Sequence, residues 1–147
     1  MKITICGSMA KLNKMLELQK NLEKIGHAVK VPQIEIKNQE GELLTQKQYD
    51  SIRKTAKNED RWVWDINREA MRDHFVKITW SDAILIPNYE KDDVPNYIGP
   101  NTLMEMGLAL FLNKKIFLLN QIPDIPSKEE ILGVDPVILD GDLSKIQ

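Results

Sequence analysis

The run Ser81-Asp82-Ala83-Ile84-Leu85-Ile86-Pro87-Asn88 constrains the fold more than any other stretch of the chain. Its apolar residues are consecutive rather than alternating, which predicts a strand buried on both faces. Such a strand belongs in a parallel sheet with helices on each side. The surrounding sequence agrees. Lys2 to Cys6 is a β-rich run ended by Gly7-Ser8, and Leu12, Met15, Leu16, Leu22 and Ile25 then recur at helical spacing as far as Gly26, a natural helix-ending residue. His27 to Pro32 reads as a second strand, so the opening is a βαβ unit with a right-handed crossover. Val63, Ile66, Ala70, Met71, His74, Phe75 and Ile78 trace one stripe of a long helix. Lys115 to Asn120 and Pro136 to Leu139 supply two further strands. The expected architecture is three-layer α/β, with about five parallel strands in a flavodoxin-like or Rossmann-like order.

Neither a repeat nor a linker interrupts the chain, so residues 1–147 are expected to form a single domain. Residues 33–58 stand apart, being polar, mixed in charge and poor in aliphatics. They read as an insertion or flap, with Gln46 to Ala56 a helix candidate, and their composition fits disorder equally well.

Several functional classes are disfavoured. A net charge of -2 without a basic block argues against a nucleic-acid binder. Cys6 is the only cysteine, which rules out an internal disulfide and a thiolate metal cage. His27 and His74 have no ligand partner at i+3 or i+4, so neither a zinc site nor any other metal is expected. The chain lacks GxGxxG and GxxxxGK[ST], and no cofactor is predicted. No apolar run approaches ~18 residues, and the first strand begins too soon for a signal peptide. The expected setting is cytoplasmic, without a membrane.

In an open parallel sheet ligands bind beyond the carboxyl ends of the strands, where the winding reverses. Gly7-Ser8-Met9, Asn88 and the segment from Gly99 to Glu105 should converge there. Gly7-Ser8 is a strand-to-helix turn of the kind that holds an anion on backbone amides, and equally a turn chosen for geometry alone. Glu105 is the sharper question. Asn101-Thr102-Leu103-Met104-Glu105-Met106-Gly107-Leu108-Ala109-Leu110-Phe111-Leu112-Asn113 is apolar on almost every side. At ~100° per residue, Glu105 falls with Asn101 and Leu112. One reading is a narrow solvent-facing sector. The other is a carboxylate aimed into the crevice as nucleophile or general base, with Asn101 and Thr102 one turn before it. His74 lies on the apolar stripe of its helix, either as a satisfied core residue or as a side chain that transfers protons near neutral pH. Asp73 falls beside that stripe. Asp82 reads as structural, closing the helix before its strand, and Trp62, Trp64 and Trp80 read as packing residues.

Taken in order, Ile3-Thr4-Ile5-Cys6-Gly7-Ser8-Met9, the Ser81–Asn88 strand, Asn101 to Leu110 and Asn113 to Asn120 resemble the nucleoside 2-deoxyribosyltransferase superfamily. The likeness is nearest to its deoxynucleoside 5′-monophosphate N-glycosidase branch and spans most of the chain apart from residues 33–58. It implies that Glu105, within Glu105-Met106-Gly107, attacks the anomeric carbon, and that Gly7-Ser8 helps bind the sugar or its phosphate. It further implies a nucleoside or nucleotide substrate and a homodimer or larger homo-oligomer; with the crevice so placed, Met9, Asn88, Gly99, Asn101 and Thr102 are expected along the sugar side. The chain departs from the branch at three positions. The aspartate eight residues before Asp82 is replaced by His74, with Asp73 adjacent, which makes His74 or Asp73 the acid or orienting group. Thr4 stands for a tyrosine, and Ala10 for an arginine. The rival reading is a module of the same fold that binds nucleotides without chemistry. A third is a partner-binding protein acting through residues 33–58.

Overall fold

A computed structural model describes all of residues 1–147. Five parallel strands form the sheet: β1 (Lys2–Ile5), β2 (Ala28–Lys30), β5 (Ala83–Ile86), β6 (Lys115–Leu118) and β7 (Val137–Ile138). Their spatial order is β2-β1-β5-β6-β7. Ile3 lies opposite Val29 on one side and Ala83 on the other, and Leu85 lies opposite Phe117. Beyond the insertion, this is the flavodoxin-like order, with the reversal between β1 and β5.

Side-chain alternation along each strand separates two cores. Ile3, Ile5, Ala83, Leu85 and Phe117 face one layer, where α1 (Leu12–Lys24) inserts Met15, Leu18 and Leu22. Cys6, Ile84, Ile86, Ile116 and Leu118 face the other, against Ile78 of α3 (Arg61–Trp80) and Met106 and Ala109 of α4 (Pro100–Phe111). α5 (Lys128–Gly133) adds Ile131 to the second layer. A strand served by both layers has no face left for polar residues, which is why residues 83–86 read as continuous apolar sequence. Gly26 ends the first helical region at φ +96°, a conformation costly for any residue with a Cβ.

Residues 33–58 are ordered structure rather than a disordered segment. Ile36–Lys37 (β3) and Leu43–Leu44 (β4) pair as an antiparallel hairpin, followed by α2 (Gln46–Thr55). Thr45 caps α2 reciprocally with Gln48, satisfying two backbone donors at the helix start. Tyr49 is buried, and its hydroxyl donates to the Val63 carbonyl at 3.4 Å. One buried aromatic side chain therefore anchors a segment that has few aliphatic residues to bury.

Asp82 departs from its expected role at a helix end. Its Oδ2 accepts the Lys2 backbone N–H at 2.8 Å, pinning the start of β1 to β5. Trp64 donates its indole N–H to the Lys57 carbonyl at 2.8 Å, and Lys30 stacks over Trp80 at 4.2 Å. No helix is long and apolar enough to cross a membrane.

Candidate active site

The carboxyl ends of β1 and β5 open onto a small cleft at the reversal point. Gly7, Ser8, Lys11, Pro87, Tyr89, Lys91, Tyr97, Gly99 and Thr102 line it. Its volume is ≈ 20 Å³, about the room for one water molecule. Tyr89, Lys91 and Tyr97 reach its wall from the loop between β5 and α4. A Cβ at Gly7 would meet Met15 Sδ and Pro87 Cγ at 3.3 Å, so the glycine permits this close strand-to-helix packing.

Glu105 sits one helical turn beyond Thr102, behind the cleft rather than on its wall. Its side chain is 14% exposed. Beside it are Cys6, the first residue after β1, and His74 from the middle of α3. The Cys6 sulfur, a His74 ring nitrogen and a Glu105 carboxyl oxygen all lie within 4.8 Å of one another. Three elements far apart in sequence thus bring their polar groups into one apolar layer.

Burial governs their charge. It pushes the Glu105 carboxyl up to about 8, with the Cys6 thiol opposing this by a hydrogen bond to the charged form. His74 is pushed down to about 4, by burial first and the Lys77 ammonium second, against the pull of Asp73 and the Ile5 carbonyl. The Cys6 thiol rises well above the usual thiol range through burial, then through the charge of Glu105 and their hydrogen bond. His74 Nε2 and Glu105 Oε1 are 3.7 Å apart, close enough for an ion pair but too far for a hydrogen bond. Burial disfavours the charged form of both groups. Both His74 ring nitrogens and Glu105 Oε2 lack hydrogen-bond partners.

These positions revise several expectations. Glu105 lies in neither the solvent sector nor the open crevice but in a dry site beside it. His74 is buried on α3 beside Glu105, where desolvation opposes its charged form. Asp73 pairs with Lys77 at 2.7 Å along α3 and is half exposed. Asn88 is 1% exposed, and its amide is engaged by backbone groups. Its Nδ2 donates to the Gln121 carbonyl at 2.8 Å, and its Oδ1 accepts the Asn120 N–H at 2.9 Å. It ties the loops after β5 and β6 together. Asn101 is exposed and outside the cleft, whereas Thr102 is buried in its wall. Met9 packs on the α1 core. Gly7, Ser8 and Gly99 stand in the crevice, where the winding reversal is expected to bring them. Thr4 donates its hydroxyl to the Lys77 carbonyl at 2.8 Å and is fully buried.

Sequence reasoning missed Cys6 as a neighbour of Glu105, and Lys11, Tyr89, Lys91 and Tyr97 as cleft residues. For Cys6 a signal existed: strand alternation puts it on the same face as Thr4, toward α3 and α4. For the loop residues no periodicity reports direction.

Solved structures similar to this chain include the following two. A 2-deoxyribosyltransferase from the psychrotolerant bacterium Bacillus psychrosaccharolyticus aligns at 15% identity and TM-score 0.48, covering 80% of this chain and 71% of that one. A CMP N-glycosidase of Clostridium botulinum aligns at 14% identity and TM-score 0.48, covering 94% of this chain and 85% of that one. No protein-family profile and no curated protein matches the sequence.

Proposed function

We propose that this chain cleaves or transfers at the N-glycosidic bond of a nucleoside or nucleoside 5′-monophosphate, with Glu105 as nucleophile. The observation that carries the reading is the placement of Glu105. It is a desolvated carboxyl at the β1–β5 reversal, one turn behind a cleft lined by Gly7, Ser8 and Thr102. The succession of motifs quoted above supports the same chemistry.

In this reading the Glu105 carboxylate attacks the anomeric carbon from the side opposite the base. The carbon–nitrogen bond breaks, and its electron pair leaves with the base, which takes a proton from water. Water then attacks the glycosyl–enzyme ester, releasing the sugar and returning the carboxylate; a second base in place of water gives transfer. Glu105 must be ionised to attack. A desolvated carboxylate is a stronger nucleophile than a hydrated one, and a hydrogen bond from the Cys6 thiol would help to orient it. Admission of a sugar requires Tyr89, Lys91 and Tyr97 to withdraw from the cleft.

A few exposed apolar side chains near the ends of α3 and α4 fit a homo-oligomer. Val76, Leu110 and Phe111 are 67%, 51% and 81% exposed, a cost that contact with a second copy relieves.

Free-base release from a panel of nucleosides and 5′-monophosphates, followed by chromatography with Glu105→Ala alongside, tests the reading. Release by the native protein that the variant lacks is expected. Release that survives in Glu105→Ala removes Glu105 from its role. Absence of release from every substrate, with ligands still raising the melting temperature, favours the non-catalytic nucleotide-binding module.

A further inference from the structure

We infer that Cys6, His74 and Glu105 form a three-ligand site for a divalent transition metal of the zinc type, and that metal bound there shuts off Glu105. The shut-off rests on the function proposed above; the site itself rests on geometry alone.

The three donors are a sulfur, an imidazole nitrogen and a carboxylate oxygen, all within 4.8 Å of one another. These are the donor types zinc takes, and three protein ligands leave one position open. Zn–N and Zn–O bonds of ~2.0–2.1 Å put tetrahedral ligand atoms roughly 3.4 Å apart. His74 Nε2 and Glu105 Oε1, at 3.7 Å, are nearly there. The sulfur has to close by about 1 Å, within the reach of a χ rotation.

A second observation points the same way. His74 is 4% exposed, and although the Ile5 carbonyl lies near its ring, neither ring nitrogen makes a well-formed hydrogen bond; Glu105 Oε2 also lacks a partner. Buried polar atoms are nearly always paired, and several orphans in one place call for a common partner. A cation on the Nε2 side would take one of the two imidazole nitrogens together with the Glu105 carboxylate. Lys77, whose ammonium acts on His74, is already held by Asp73.

Charge balance makes the exchange tolerable in a dry layer. Binding would release the Cys6 S–H and Glu105 O–H protons to solvent as one dication enters. Two positive charges leave and two arrive, so no net charge is added to the interior. The thiolate selects zinc, cobalt or copper over magnesium and calcium. Once both the carboxylate charge and its lone pairs are committed to a metal, the group cannot attack an anomeric carbon.

Cobalt(II) titration of the metal-stripped protein tests the site without recourse to activity. One equivalent should bind with the visible bands of four-coordinate cobalt and a thiolate-to-cobalt charge-transfer band. Zinc should displace it; magnesium should not. Cys6→Ser should abolish the charge-transfer band, and His74→Gln should weaken binding at least ~10-fold. Cys6→Ala provides a second thiol-free variant, and circular dichroism checks that each folds. Binding weaker than roughly 100 μM, or a spectrum unchanged in these variants, overturns the site. If the protein releases base, one equivalent of zinc should suppress release and a chelator restore it. Metal bound with that spectrum while release continues overturns the shut-off. If no base is released from any substrate, the spectra still decide the site.

Discussion

Replacing Glu105 by glutamine should stabilise the protein at neutral pH while abolishing its proposed chemistry. The carboxyl is pushed from its ordinary 4.5 up to about 8 by burial. A folded-state value above the unfolded one favours the fold only while the group is protonated in both states. That contribution is complete below about pH 4.5 and is lost as pH rises through about 8. At pH 7 the unfolded chain has ionised this group and the folded chain has not. The difference disfavours folding by roughly 3 kcal/mol, at 1.36 kcal/mol per decade. Glutamine has nearly the same shape and no charge to lose. For a chain of this size, roughly 3 kcal/mol corresponds to about 6–12 °C in melting temperature. Melting curves of both proteins from pH 4 to 9 check the argument. The curves should run together near pH 4, diverge between pH 4.5 and 8, and then run parallel. Any fixed offset from amide packing shows itself at pH 4. A difference that does not vary with pH would refute the burial argument, because only a desolvated ionisable group produces that window.

Three further outcomes are expected. If the ionised Glu105 is the nucleophile, kcat/KM should climb with pH and level off above about 8; a profile flat from pH 6 to 9 would mean that another group limits the reaction. Asn88→Ala should lower stability by about 1–3 kcal/mol, because it leaves the Asn120 N–H and Gln121 carbonyl unpaired; denaturant unfolding measures this, and a loss below ~0.5 kcal/mol would make Asn88 available to a ligand again. Phe111→Glu should shift the protein to monomers in sedimentation velocity, where an unchanged mass would place any interface elsewhere.

Much of the fold was legible because its signals are local. The continuous apolar run at 83–86 could only be a doubly covered strand, and the βαβ opening fixed the winding. Periodicity placed His74 on the buried stripe of α3, and Gly7-Ser8 marked the end of β1. Residues 33–58 were harder, since their order depends on a capping box and one aromatic residue, Tyr49, whose docking site is fourteen residues away at Val63.

The chain's own pattern therefore determined the parallel sheet, its two helical layers and the identity of the suspect carboxyl. What Glu105 became was decided only when three distant segments packed. Its charge state depends on how completely α3, α4 and the end of β1 exclude water, and helical phase cannot report that. The same closure buried His74, turned Asp73 toward Lys77, committed Asn88 to backbone groups and brought Cys6 against the carboxyl. A side chain's direction follows from local geometry, but its solvation is a property of everything that surrounds it.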